Sequence, residues 1–324
     1  MRRIITATAV LAAAALALTG CSAAATSAGS TAAAVDGKPV YVFLPKSLNN
    51  PYWVDARKGM EDAAKKLGVT AKFLGPDTDD AAAQVAIFDS ILATKPAGIA
   101  VSPNDAASVI DDIAKARAAG IPVIAWDGPV PNSKVLGYIG TDNVTAGMQA
   151  GEALAMAVGK KGNVAVIIGS LTAVNLNQRL TGVKKALAKY PDIKIVATQV
   201  SGESVATAQT ASETVLQANP DLAGFIGIGG SDLPGAVGAL TSAGKCGTVK
   251  AVGFDVVPQG IAGMQAKCVD ALISQKPFGM TGQALQILVD FANKKSTLKD
   301  NFNVDTGVVT VTPSSLAEFL KTAH

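Results

Sequence analysis

The sequence holds a single histidine, and it is the last residue, His324. A histidine-based nucleophile triad, a histidine general base and an HExxH metal site are therefore all excluded. Cysteine is scarce as well, with three in 324 residues and no Cys/His cluster at metal-ligand spacing. The nearest approach to a phosphate loop, "GALTSAGKC" at 238–246, has one residue too many between its glycines and a cysteine where magnesium needs Ser or Thr. "GIGGSD" at 227–232 does not fit G-x-G-x-x-G either. No cofactor and no metal are expected. Catalysis by carboxylates alone, through a pairing among Asp127, Asp232 and Asp255, is the one enzymatic reading left, and a minor one.

Charge of one sign is also missing. Residues 1–20 carry two arginines and no acid, so without them the net charge falls from +3 to +1. Nothing in that balance asks for nucleic acid or a strongly acidic partner. Aromatic residues make up only 5% of the chain, which makes the adjacent rings of "SLNNPYW" (47–53) conspicuous. Tyr52 and Trp53 each offer an apolar face with a hydrogen-bonding edge, and Asn50 beside them can donate and accept.

The amino terminus reads as an export signal. Arg2 and Arg3 precede an apolar run at 10–18 that is too short for a stable membrane span. It ends in Leu18-Thr19-Gly20-Cys21, which resembles the bacterial lipobox and implies lipid modification of Cys21 after cleavage at residue 20. Residues 21–37 hold one charge and almost no large apolar side chain, so they are expected to form a flexible tether about 20–25 Å in span. An extracytoplasmic location, anchored to the membrane by lipid only, follows. In an exported chain the remaining pair, Cys246 and Cys268, suggests a disulfide, two reduced buried thiols being the alternative.

From residue 38 onward, short β-rich runs alternate with Ala-rich helical stretches. The runs fall at 40–45, 70–75, 97–102 and 122–127, then again at 163–169, 193–200, 223–229 and 249–255. Candidate helices lie near 52–67, 80–94 and 105–119, then near 174–189, 204–218 and 232–243. Such alternation predicts parallel sheets covered by helices on both faces, and two sets of it predict two α/β lobes. Ligands bind beyond the carboxyl ends of strands in such sheets. The polar residues ending the runs are thus site candidates: Lys46 with Asn49 and Asn50, Asp127, Ser170, Ser231 with Asp232, and Asp255. A lone Asp or Ser there also suits a helix N-cap.

The motifs "LNNPYW", "IPVIAWD", "GTDN" (140–143), "VGFD" with Pro258, and "DALISQ" (270–275), in this order, resemble the periplasmic sugar-binding family typified by ribose-binding protein. The likeness runs from about residue 40 to about 311. It implies a type I periplasmic binding fold: two Rossmann-like lobes joined by a three-crossing hinge, with ligand between them. It carries ligand-binding roles onto Asn50, Tyr52, Trp53, Asp127, Arg179 of "RLTG", Asp232, Asp255 and Gln275. "LPKS" and "AWDGP" look more like the autoinducer-2 and rhamnose branch, which adds Lys46. The chain departs from the ribose pattern at Gly128, where that type has Arg, and at Gly202–Glu203, where it has a ring.

The expected lobes are 38–141 with 276–305, and 142–275 with 306–324, with crossings near 141–143, 275–277 and 305–307. The resemblance implies a monomeric solute receptor of an ABC importer that binds a monosaccharide or polyol and delivers it to a permease. The alternatives are a sugar or autoinducer sensor feeding a receptor, and an extracytoplasmic carbohydrate enzyme.

Overall fold

The computed structural model describes residues 33–322. The signal segment 1–20, Cys21, the tether up to residue 32 and His324 lie outside them. The described chain opens with a hairpin rather than a tether. Strand β1 (Ala34–Val35) pairs antiparallel with the start of β2 (Lys38–Leu44). Asp36 and Gly37 turn between them with φ of 50° and 72°, the two left-handed residues of a tight hairpin turn. The tether boundary at residue 37 is corrected accordingly, since "VDGK" spells that turn.

After β2 the chain runs through α1 (Tyr52–Leu67), β3 (Thr70–Phe73), α2 (Ala81–Ala93), β4 (Gly98–Val101), α3 (Ile110–Ala118), β5 (Val123–Trp126) and β6 (Gly137–Gly140). Helix α3 starts five residues later than the pattern predicts. Asp105 takes the Ala107 N–H with its side chain instead, so the preceding segment turns rather than coils. The chain continues through α4 (Asn143–Ala157), β7 (Gly162–Ile168), α5 (Val174–Leu187), β8 (Ile193–Val200), α6 (Val205–Ala218), β9 (Leu222–Gly227), α7 (Asp232–Ser242), β10 (Lys250–Phe254) and α8 (Pro258–Gln265). It closes with β11 (Ala271–Ser274), α9 (Pro277–Ala292), β12 (Phe302–Asp305), β13 (Val309–Val311) and α10 (Leu316–Thr322).

These strands make two sheets. The first runs β1-β2-β4-β5-β6-β12, with β3 also on β2; the second runs β13-β11-β10-β9-β7-β8. Apart from β1 and β13 every pairing is parallel. Each sheet is doubly wound, and its order reverses between β2 and β4 in the first lobe and between β7 and β9 in the second. A crevice opens at the carboxyl ends of the strands at each such reversal.

Every lobe has apolar packing on both faces of its sheet. In the first, α1 and α9 cover one face through Met60, Leu285 and Leu288, while α2 and α3 cover the other through Phe88 and Ile113. In the second, α4 and α5 pack Leu154 and Val183 on one face, and α6 and α7 pack Val215 and Leu240 on the other. Cys246 and Cys268 are joined by a disulfide with Cα atoms 4.3 Å apart, at the edge of that last cluster.

The chain passes between the sheets three times: from β6 to α4, from β11 to α9, and from β12 to β13. Two of these strands are fastened together. The Asp305 carboxylate accepts from the Asp142 N–H at 3.0 Å and the Gly307 N–H at 2.8 Å, and the Thr306 N–H donates to Gly140 C=O at 2.7 Å.

Candidate functional site

The polar loops at the carboxyl ends of both sheets face one another. In the first lobe, β2 delivers Lys46 and Asn50, β4 delivers Ser102, and β5 delivers Asp127. All four are buried. Asp127 sits in the left-handed region at φ 57°, in a tight turn where the Gly128 N–H donates back to Trp126 C=O. Strained backbone at a non-glycine residue persists only where its surroundings hold it. Here Ser102 Oγ donates to Asp127 Oδ2 at 2.7 Å, and Lys46 Nζ lies 3.6 Å from the same oxygen.

The second lobe repeats the device. Asp255 follows β10 at φ 70°, as Asp127 follows β5. Gln275 Nε2 donates to its Oδ1 at 2.8 Å, and the same Gln275 accepts through Oε1 from Arg179 at 2.7 Å and from Thr141 Oγ1 at 2.9 Å. Arg179 is 2% exposed, donates from Nε to Asn143 Oδ1 at 2.8 Å and from Nη1 to Ile228 C=O at 3.1 Å, and lies over the Phe254 ring at 4.4 Å. The R-x-x-G spacing has a local cause. A Cβ on Gly182 would stand 2.1 Å from Val144 C=O, so only glycine lets α5 lie against α4 and bring Arg179 to Asn143. Burial pushes the Asp255 carboxyl up to about 6, with Arg179 opposing that rise.

Among the described residues four hydrogen bonds cross the cleft, the longest from Thr172 Oγ1 to Asn104 C=O at 3.4 Å. Lys46 Nζ donates to Asn175 Oδ1 at 2.9 Å, Asn175 Nδ2 donates to Asp127 Oδ2 at 3.3 Å, and Asn50 Nδ2 donates to Glu203 Oε2. A Cβ on Gly230 would fall 2.9 Å from both Asn50 Oδ1 and Asp255 Oδ2, so the loop after β9 sits between side chains of opposite lobes. The expected residues Lys46, Asn50, Asp127, Arg179, Asp255 and Gln275 are thus brought together. Ser102, Asn143, Asn175 and Glu203 belong to the same network; Ser102 ends the run at 97–102 and Asn143 closes the "GTDN" motif, whereas Asn175 carries no sequence signal beyond ordinary helix polarity. Glu203 is itself part of the departure from the ribose pattern at Gly202–Glu203.

The remaining candidates sit differently. Tyr52 and Trp53 are 5% and 4% exposed and belong to the apolar cluster of the first lobe, where Trp53 packs edge-on against Tyr52 and Trp126 with centroids 4.8 and 5.4 Å apart. Their polar edges are nonetheless unanswered: the Tyr52 hydroxyl and the Trp53 indole N–H are buried without a partner among the described residues. Burial first, and then the negative charge of Asp127, push the Tyr52 hydroxyl pKa well up. Asp232 is fully engaged inside the second lobe, taking Ser201 Oγ on one oxygen and the Gly229 N–H at 2.7 Å on the other. It braces the loop after β9. Burial, reinforced by Glu203, raises its carboxyl to about 7. Among the described residues no group of His, Cys, Asp and Glu is arranged to hold a metal ion.

Two doubly wound lobes whose charged and amide side chains meet at their carboxyl ends define a two-lobed binding protein. The chain belongs to the periplasmic binding protein family: its "Periplasmic binding protein domain" matches residues 41–296. Within it the chain belongs with the sugar-binding proteins that resemble ribose-binding protein, and it is a type I periplasmic binding fold and a binding protein, not an enzyme. A D-allose-binding periplasmic protein of Escherichia coli strain K12 is 30% identical over 259 residues, 77% of this chain and 83% of that one. An ABC transporter solute binding protein from Burkholderia graminis C4D1M, solved in complex with D-arabinose, superposes with a TM-score of 0.82 at 32% identity, covering 87% of this chain and 98% of that one. A periplasmic solute binding protein from Actinobacillus succinogenes 130z with bound D-allose gives 0.80 at 30% identity, covering 87% and 100%.

Proposed function

We propose that this protein is the lipid-anchored, extracytoplasmic receptor of an ABC importer, binding a monosaccharide or similar polyol between its lobes and delivering it to a membrane permease. The observation that carries the reading is the set of buried donors and acceptors answered across the cleft by the opposite lobe: Lys46 and Asp127 by Asn175, and Asn50 by Glu203. A polyhydroxylated ring offers the same mixture. Its hydroxyls donate to Asp127 and Asp255 and accept from Lys46 and Arg179. The unanswered edges of Tyr52 and Trp53 add two further donors.

Binding then means exchanging lobe–lobe pairs for lobe–ligand–lobe pairs, with rotation taken up at the three crossings. Ligand favours the closed form only through its higher affinity for that form. Closure alters the outer surface that both lobes present, which lets a permease tell loaded receptor from empty. The chain works as a monomer, and Cys21, outside the described residues, holds it at the membrane.

Thermal-shift measurements with D-allose, D-ribose and D-arabinose test the ligand class. A sugar at 100 times its dissociation constant is expected to stabilise the protein by about 2.7 kcal/mol, with a smaller radius of gyration in solution scattering. No stabilisation by any simple sugar or polyol removes the reading. The anchor is tested apart from this: Cys21→Ala is expected to leave the membrane fraction or stall in processing, and normal cleavage with full membrane retention overturns it.

A further inference from the structure

Lobe two sends towards lobe one a carboxylate, that of Glu203, with no ion-pair partner among the described residues. Glu203 is 4% exposed, follows β8 in the left-handed region at φ 56°, and has Asn50 as the partner of its carboxylate, in the opposite lobe. Its backbone is pinned by Ser231 Oγ, which donates to Glu203 C=O at 2.8 Å. The space for its side chain is made by a glycine. A Cβ on Gly169 would stand 2.8 Å from Glu203 Oε1 and 2.9 Å from its Cδ. The two cations of the site are committed elsewhere, Lys46 to Asp127 and Asn175, Arg179 to Gln275, Asn143 and the Ile228 carbonyl. A buried carboxylate with one amide donor has acceptor capacity left over, because its two oxygens offer about four lone-pair sites.

We propose that Glu203 is a specificity-determining residue of the cleft, selecting ligands that present hydroxyl donors, and not a C–H face, to the second lobe. This deepens the sugar-receptor reading and rests on it. An apolar edge placed there would strip Glu203 of Asn50 and of water while supplying no donor, and a buried unpaired carboxylate is costly. Two adjacent hydroxyls would instead fill both oxygens. Electrostatics agrees with a group kept for ligand and not for stability: after burial, the charge of Glu203 is the leading cause that raises the Asp79 and Asp232 carboxyls, to about 6 and about 7. Site groups of this kind oppose the stability of the empty protein.

The test is Glu203→Gln, which keeps shape and one acceptor and removes the charge. Without ligand its melting temperature is expected to equal the wild type's or exceed it by about 1–3 °C. For whichever of D-allose, D-ribose and D-arabinose the wild type binds, affinity is expected to fall roughly 10–100-fold. Discrimination against monodeoxy analogues of that sugar should narrow. Gly169→Ala, which displaces the carboxylate without neutralising it, is expected to weaken binding in the same direction. Unchanged affinity and unchanged discrimination in Glu203→Gln overturn the assignment. If the wild type binds none of the three sugars and no other simple sugar or polyol, the ligand reading fails by itself, and the melting temperature decides for Glu203: a clear drop assigns it to structure and overturns the proposal.

Discussion

Asp127 and Asp255 are counterparts built from the same parts and used differently. Each follows the last residue of a parallel strand, each comes directly after a large aromatic, and each holds a left-handed backbone. The partners of Asp255 come from its own side: Gln275, itself tied to Arg179, which lies over Phe254. Those of Asp127 are divided, with Ser102 and Lys46 from the first lobe and Asn175 from the second. On the closing motion proposed above, the anchor in lobe two is therefore assembled before closure, and the anchor in lobe one is completed by it. The same motif can serve as fixed framework or as closing contact, according to which side of the cleft supplies its partners.

The largest effect expected from breaking this contrast is on the framework side. Arg179→Ala leaves the Gln275 and Asn143 side-chain oxygens and the Ile228 carbonyl without their buried donor, and should lower the unfolding free energy of the empty protein by about 3–5 kcal/mol in denaturant titration. Asp127→Asn acts on the other side. Asn tolerates φ near 57° and can still accept from Ser102, so unfolding should change by less than about 1 kcal/mol while calorimetry shows affinity for the cognate solute falling by roughly 2–4 kcal/mol. Equal losses of stability in the two variants would erase the distinction.

A third expectation concerns pH. The Asp255 carboxyl is raised to about 6 by burial, so between about pH 4 and pH 6 the folded protein keeps a proton that the unfolded chain has released. Its contribution to stability is present at the acid end of that window and is lost as pH rises through it. Asp255→Asn removes this group's share of the dependence and leaves that of Asp79 and Asp232, which are raised into the same range. The melting temperature of the wild type should fall relative to that variant by roughly 1–3 °C from pH 4.5 to pH 7. The smallest effect is assigned to Asn175→Ala, which deletes two cross-lobe contacts and should favour the open form of the empty protein by about 1 kcal/mol. Solution scattering would register it as a larger radius of gyration.

The alternation of strand and helix was legible because parallel strands buried on both faces are written as short apolar runs, such as "VIAW" in β5. The strands that complete each sheet were less so. β6 is "GYIG" and β13 is "VTV", too short and, for β6, too rich in glycine to register as periodic runs. Helix α4 escaped for a related reason: its small residues, Ala146, Gly147, Ala150 and Gly151, are buried against α5 instead of forming a strong apolar stripe. Six of the expected site residues converge because they end strands or belong to spaced motifs. Asn175 and Glu203 do not end strands; only the approach of one lobe to the other makes them neighbours of Lys46 and Asn50.

Gln275 has a consequence for how such a receptor can change its diet. One amide links the anchor pair Arg179 and Asp255 to Thr141, at the first crossing between the lobes, and Gln275 itself lies at the second. On the function proposed above, a mutation there would alter which solute is held and how readily the molecule shuts, both at once. Positions 175 and 203 reach the cleft without touching a crossing, so a lineage can try new solutes there while its mechanics stay intact. Drift in ligand preference among close descendants of this chain should therefore accumulate at 175 and 203, with 275 holding still.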